Sequence, residues 1–182
     1  GRILVGLSGG KDSLALLDLL AKRARIYKPR FTIIAAHVVM KKIPYQSDVE
    51  YLRSFAQSLG VEFVLYETEF DASTDTRKSP CFLCSWNRRK ALFTVAKEWG
   101  CNKIALGHHM DDILETLLMN ITFQGAFSSM PPKLVMRKFD MTIIRPMCLV
   151  HESDLEELAR WHQYRKQVKN CPYEEASNRS EM

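Results

Sequence analysis

The sequence predicts an α/β fold, a doubly wound, mainly parallel sheet of five strands with helices on both faces. Three observations lead there. Strand-like apolar runs alternate with helix-like periodic runs along the whole chain. The strand runs are apolar throughout instead of alternating, as strands buried on both faces are. Three polar clusters fall just behind strand ends, where ligands sit in such sheets. With 182 residues and 46% hydrophobic content, one domain over residues 1–182 can bury a real core.

Ile3–Leu7 is the first strand. From Asp12 a helix follows, with Leu14, Leu17, Leu20 and Ala21 at helical spacing and Lys22, Arg23 and Arg25 gathered at its C-terminal end. Phe31–Val39 is strand two. Ser47 and Glu50 read as a capping box opening a helix through Leu52, Phe55 and Leu59, closed by Gly60. Val61–Glu67 is strand three, and Asp71–Pro80 a polar loop. Trp86, Leu92, Phe93, Ala96 and Trp99 mark a helix that ends at Gly100. Lys103–Leu106 is strand four, and Ile113, Leu117 and Ile121 carry the next helix. Phe123–Pro132 is a loop, Thr142–Arg145 strand five, and Asp154–Tyr164 the last helix. No repeat, low-complexity tract or linker interrupts this order.

The net charge of +5 and pI near 9.0 tilt the chain toward polyanions. No stretch reaches the roughly 20 apolar residues of a spanning helix, and no signal peptide precedes the first strand. A cytoplasmic protein without membrane contact is the expectation. Five cysteines are an odd number: Cys81 and Cys84 form a CxxC, while Cys101, Cys148 and Cys171 are scattered. In a reducing compartment this suggests metal or redox chemistry more than structural bridges.

Ser8-Gly9-Gly10-Lys11-Asp12-Ser13 joins the first strand to its helix. Glycines let the backbone turn sharply and approach a ligand, while free N–H groups and the helix dipole favour an anion. Lys11 adds a point charge, and Ser8 and Ser13 add hydroxyls. The spacing is neither GxxxxGK[ST] nor GxGxxG, so a Walker loop and a dinucleotide fold both lose support. A tight turn with an incidental lysine would not need this density of anion-binding groups. The other two clusters are the segment after strand three and Gly107–Asp112, GHHMDD, after strand four.

In Ser79–Lys90, SPCFLCSWNRRK, two thiols stand at i and i+3 near a helix start, which lowers thiol pKa. Alone, the pair fits zinc, a redox couple or an iron–sulfur site. A zinc site closed by four protein ligands wants a second pair, and none exists. Cys171, in KNCPYE, is either a third ligand or unrelated. Three cysteines suit a cubane cluster with one iron left open.

SGGKDS directly behind a first strand resembles the PP-loop of the N-type ATP pyrophosphatases, and GHHMDD strengthens the likeness. With PCxxCS followed by arginines, MPPK, IRP and a late cysteine in one order, the chain resembles the tRNA 2-thiocytidine synthetase (TtcA) family from Ile3 to about Tyr173. That resemblance implies ATP-dependent thiolation of cytidine thirty-two in the anticodon loop of transfer RNA. The base is adenylated and sulfur then displaces AMP. It implies ATP, magnesium and a four-iron–four-sulfur cluster on Cys81, Cys84 and Cys171. Carried over residue by residue, Ser8, Gly9, Gly10, Lys11, Asp12 and Ser13 hold the phosphates, with His37 and Gly107 at the nucleotide. Asp112 is the acidic group near the metal or the reacting base, and Asp112 and Lys11 are the catalytic pair. Arg88, Arg89, Lys90 and Lys133 contact RNA. A sulfur donor such as a cysteine desulfurase and a homodimer are implied too. The sequence departs from the family at Val39, where an aspartate is common, and at Glu174, where some relatives have a second cysteine. The N-terminal helical segment that usually precedes strand one is not in this sequence.

Plainer assignments cover the rest. Cys101 and Cys148 are packing residues, and adjacent His108 and His109 point apart instead of sharing a metal. Trp86 and Trp99 are assigned to the core, and Arg137 and Lys138 to a solvated hairpin. Two other functions stay open. One is a different ATP pyrophosphatase, such as a lysidine synthetase or amide-forming ligase. The other is a non-catalytic zinc and nucleotide module.

Overall fold

A computed structural model describes residues 1–41, 47–69 and 80–165, the side chains of Pro80 and Cys81 excepted. The chain runs β1 (Arg2–Gly6), α1 (Lys11–Ile26), β2 (Thr32–Met40), α2 (Val49–Ser58), β3 (Glu62–Thr68), α3 (Pro80–Glu98), β4 (Lys103–Ala105), α4 (Met110–Gln124), β5 (Lys133–Met136), β6 (Met141–Ile144) and α5 (Glu152–Trp161). The sheet order is β3-β2-β1-β4-β6-β5. β3, β2, β1, β4 and β6 are mutually parallel, and β5 closes the edge antiparallel to β6.

The sheet therefore has six strands, not five. β5 escapes notice because it is four residues long, mostly exposed, and paired on one side only. An edge strand with no buried face has no period-2 pattern to show. Its hairpin to β6 turns through Arg137–Phe139 and Asp140, and both cations are exposed as the sequence suggests.

Why the strand runs are uniformly apolar is clear in β1. Ile3 and Val5 face α1, α2 and α5 in one core, with Leu14, Leu17, Leu52 and Leu155. Leu4 between them faces the other core, with Ile34, Val95, Ala96 and Ile104. Helices on both faces bury alternate residues in opposite directions. Cys101 is buried in the second core, and Trp99 packs against it; Cys148 is partly buried.

α2 begins one residue later than the sequence suggests. Its cap is Asp48, whose Oδ1 accepts from Tyr51 N at 3.0 Å. The Ser47–Glu50 box does not form because Ser47 Oγ is 2.6 Å from His37 Nε2 instead. α4 does carry a capping box, with His109 at the N-cap and Asp112 three residues on.

α5 is locked onto α1 by a buried carboxylate. Asp18 Oδ2 accepts from Tyr164 Oη at 2.8 Å and from Lys22 Nζ at 3.0 Å, and His162 Nδ1 lies at 2.9 Å. Burial, reinforced by the Asp18 bond, pushes the Tyr164 hydroxyl pKa well up. Removing one member of a buried polar cluster strands the others. Asp18→Ala is expected to lower stability by about 3 kcal/mol, seen as an earlier urea midpoint. An unshifted midpoint would show that the cluster adds nothing.

Candidate functional site

Strand order reverses between β1 and β4, so the crevice behind those two strands is the switch point of the sheet. Leu7–Ser13 leaves β1 there and Leu106–Asp112 leaves β4. Between them opens a cleft of about 340 Å³, lined by Ser8, Gly10, Asp12, Ser13, His37, Gly107, His108 and Asp112 among others. A larger hollow, about 1190 Å³, lies at the opposite strand edge beside Arg2, Arg25 and Gly60. Two of the three arginines lining it are committed to structure: Arg2 Nη1 donates to Trp99 O at 2.7 Å and Arg25 Nη2 donates to Leu59 O. Both carbonyls end helices, so these two arginines serve the framework, and the switch-point cleft, where the glycine loop lies, is the candidate site.

The loop before α1 is built to receive an anion. Gly9 has φ +91°, a conformation that side chains other than glycine rarely adopt. Gly10 is the N-cap of the sixteen-residue α1 and offers no side-chain cap, so the helix start points its N–H groups at the cleft. The hydroxyls keep the loop in shape. Ser13 Oγ donates to Gly10 O at 2.9 Å and accepts from Gly9 N at 3.2 Å, and Ser8 Oγ lies 3.2 Å from it. Gly107 lets the two loops meet. A Cβ there would sit 3.2 Å from both Asp12 C and Asp12 O, too close for backbone that cannot move aside.

His37 is buried at the cleft wall. Its Nδ1 is 2.7 Å from Leu7 O, which can only accept, so Nδ1 donates there, and Nε2 shares a hydrogen bond with Ser47 Oγ at 2.6 Å. Strand one, strand two and the start of α2 are thereby tied together behind the glycine loop.

The acidic groups divide the work. Asp112 lines the cleft, and its Oδ2 accepts from His109 N at 3.1 Å while His109 Nδ1 accepts from Asp112 N at 3.3 Å. Asp12 Oδ1 is buried and makes no hydrogen bond; Lys11 Nζ, at 3.4 Å, is within ion-pair range only. Burial pushes the Asp12 carboxyl pKa up, against the pull of Lys11 and His109. An under-satisfied buried carboxylate oxygen at the mouth of an anion loop is where a divalent cation would be wanted.

Lys11 does not line the cleft. Its ammonium lies on Glu152 Oε1 at 2.7 Å, at the start of α5. Burial alone would lower its pKa, but the Glu152 bond and the charges of Asp12 and Glu152 leave it raised. Glu152 N in turn donates to Asp111 Oδ2 at 2.7 Å, which caps α5 and holds the Asp111 carboxyl below its usual value. The glycine loop, the β4 loop and α5 thus share one polar network. Glu152 gave no signal in the sequence, because one glutamate at a helix start is ordinary.

Arg145 is a second residue that spacing alone does not reveal. Buried behind β6, it donates Nη1 to Pro131 O at 2.6 Å and Nε to His108 Nδ1 at 3.2 Å. Burial, and then the charge of Arg89, lower its pKa. It joins MPPK to GHHMDD, which explains why an arginine follows the last strand. His108 and His109 do point apart, one to Arg145 and the other into the α4 cap.

α3 crosses the cleft. Arg88, one turn after Cys84, lines it together with Leu92, while Arg89 and Lys90 are exposed and Lys133 is exposed at the start of β5. Cys84 is partly buried in the helix start. Cys171 and the Cys81 side chain lie outside the described residues, so their meeting with Cys84 does too. Among the described residues no three His, Cys, Asp or Glu side chains are placed to hold one metal ion. None of the described helices is long and apolar enough to cross a membrane. Trp86 is not a core residue. It is 55% exposed and lies off the stripe of Leu92, Val95 and Ala96 that meets the sheet.

A family model described as the PP-loop domain matches residues 1–180. The chain is 40% identical over 167 residues to a tRNA-cytidine(32) 2-sulfurtransferase of Tolumonas auensis, covering 90% of this chain and 55% of that protein. It is 43% identical over 168 residues to the enzyme of that name from Bordetella avium, covering 90% and 52%. The chain spans about half the length of these curated relatives. Among solved structures, the U34-tRNA thiolase NcsA of Methanococcus maripaludis, determined with its [4Fe-4S] cluster, is similar at TM-score 0.73 and 26% identity over 94% of this chain and 59% of that one. A 4-thiouridine synthetase–RNA complex with bound ATP shares the fold at TM-score 0.58 and 16% identity, over 98% of this chain and 46% of its own. An anion loop at the switch point, GHHMDD packed against it through Gly107, and a match along almost the whole sequence make this chain a member of the PP-loop domain family.

Proposed function

We propose that this chain is the catalytic core of an ATP-dependent tRNA sulfurtransferase that forms 2-thiocytidine in the anticodon loop. One observation carries the reading: Arg88, a helical turn beyond Cys84, lines the same cleft as the Ser8–Ser13 loop. The thiol-bearing helix and the phosphate-accepting loop therefore serve one site. Named relatives at 40% and 43% identity, and the cluster-bearing thiolase at 26%, support it.

In this reading the cytosine C2 oxygen attacks the α-phosphorus of ATP and pyrophosphate leaves. Gly9, Gly10 and the α1 N-terminus receive the phosphates, with Ser8 and Ser13 releasing the backbone groups they hold in the free loop. Asp12, with its orphaned oxygen, fits magnesium, and Asp112 stands across the cleft beside the reacting base. Lys11, steadied by Glu152, supplies positive charge near the loop. Arg88 balances charge inside the cleft, and Arg89, Lys90 and Lys133 meet the RNA backbone outside it. His37 and Gly107 shape the nucleotide side.

Replacing the adenylated oxygen by sulfur releases AMP and leaves the thiocarbonyl. Two cysteines one turn apart at a helix start fit an iron–sulfur site, with Cys171 as third ligand. A [4Fe-4S] cluster held by these cysteines would supply the sulfide. A cysteine desulfurase as sulfur donor, a homodimer and a cytoplasmic setting complete the proposal.

The test is anaerobic purification with metal analysis, followed by reaction with ATP, sulfide and unmodified transfer RNA. Close to four irons per chain and a thiolated RNA retarded in a mercury-containing gel are expected. One zinc per chain without thiolation would overturn the proposal in favour of a binding module. Modification without iron would point to another ATP pyrophosphatase.

A further inference from the structure

α3 has two working faces. Arg88 lines the cleft and Leu92 the cleft and the core, and Cys84, one turn earlier, shares their side of the helix. Phe82, Trp86 and Lys90 repeat at i, i+4 and i+8 on the other side. There Phe82 is 47% and Trp86 55% exposed, and Lys90 and its neighbour Arg89 are exposed as well. A helix whose sole task is to cover a sheet buries its aromatics and shows water a mixture of charges. α3 does neither. It has no acidic residue before Glu98, and its exposed face carries two aromatic rings followed by two cations.

That combination is what binds single-stranded nucleic acid. Every base has a π-face, so stacking tolerates sequence, and neighbouring cations hold the phosphates. A protein partner would more often be met by aromatics ringed with mixed charge. A cation-only rim on a chain of net charge +5 selects a polyanion. A base held in the cleft must first leave the stack of its loop, which exposes the faces of its neighbours. The far side of a helix lies roughly 10–12 Å away, within reach of those neighbours.

We propose that Trp86, supported by Phe82 and flanked by Arg89 and Lys90, is a stacking platform for an unpaired nucleobase adjacent to the modified nucleotide. The platform rests on the transfer-RNA reading above and adds a recognition element to it.

The experiment titrates the full chain against a fluorescein-labelled anticodon stem–loop RNA by anisotropy, at low and high salt. Trp86→Ala is expected to weaken binding about tenfold, with Trp86→Phe retaining most of it. Trp161→Ala, at a still more exposed tryptophan on α5, should bind like the parent. The Trp86 deficit should persist at high salt, because stacking is not screened, whereas the Arg89→Ala/Lys90→Ala deficit should shrink. Thermal melting keeps folding in view, and Trp86→Ala should melt with the parent. If the parent binds and Trp86→Ala binds equally well, the platform is wrong. So is it if the Trp86→Ala deficit comes with a changed sedimentation coefficient, which would place Trp86 between protein surfaces. A parent that binds no stem–loop overturns the transfer-RNA reading and the platform with it.

Discussion

Asp12→Asn is expected to lower ATP-dependent adenylation by at least about 100-fold while leaving the fold intact. The reason is the peculiar state of this carboxylate. One oxygen is buried without a hydrogen bond, and burial has raised its pKa. Such an oxygen destabilises the free protein unless a ligand completes it. A divalent ion carried in with the phosphates would do so, and losing one anionic ligand from such a site removes several kcal/mol of charge stabilisation. At 1.36 kcal/mol for each tenfold change, about 3 kcal/mol is enough for the stated effect. Asparagine is nearly isosteric; it removes a buried charge and with it the Lys11 ion pair, so the urea midpoint should move little. Pyrophosphate release, followed by a coupled assay across a magnesium titration, checks the first half. If activity returns at high magnesium, Asp12 binds the ion; if it is undiminished from the start, the carboxylate has another role. Asp112 is the informative comparison. Its Oδ2 already serves the α4 cap, so Asp112→Asn should affect stability as well as turnover.

Much of this site is written locally and can be read locally. Ser8–Ser13 is legible because its meaning lies in six consecutive residues: a helix start, two glycines and the hydroxyls that brace them. The parallel sheet is legible because β1, β2 and β4 must be apolar on both faces. What depends on distant parts of the chain is harder. Glu152 lies 141 positions from the lysine it holds, and Arg145 is 37 from His108. Neither separation leaves a trace in spacing. Ser47 shows the reverse failure. Its sequence context reads as a cap, but a buried histidine on β2 competes for the hydroxyl and wins, and Asp48 takes over the helix. Trp86 misleads for a related reason. Helical periodicity says which residues share a face, but not whether that face meets the sheet or the solvent. β5 is missed because pairing with β6 defines it, not its own composition.

The second large effect is expected at Cys84. Cys84→Ser should leave nucleotide binding within about twofold, the ordinary scatter of a surface change, while thiolation falls by at least about 1000-fold. The separation follows from geometry. Cys84 sits on the first turns of α3, outside the glycine loop, and is only partly buried, so its thiol is not needed to pack either core. Serine keeps the size and the helix but supplies no thiolate, and soft sulfur ligation is what retains iron. With only Cys81 and Cys171 left of the three proposed ligands, iron content should fall with activity, and the brown colour should go. The contrast with Cys101 makes the test specific. That thiol is buried in the second core, and burial pushes its pKa up, so it is a poor metal ligand. Cys101→Ala should therefore cost some stability and leave iron bound. If Cys84→Ser kept its iron and still thiolated RNA, the CxxC would be structural, and sulfur would have to reach the cleft from elsewhere. If it lost both iron and ATP binding, α3 would be folding around the metal, and the phosphate loop could not be independent of it.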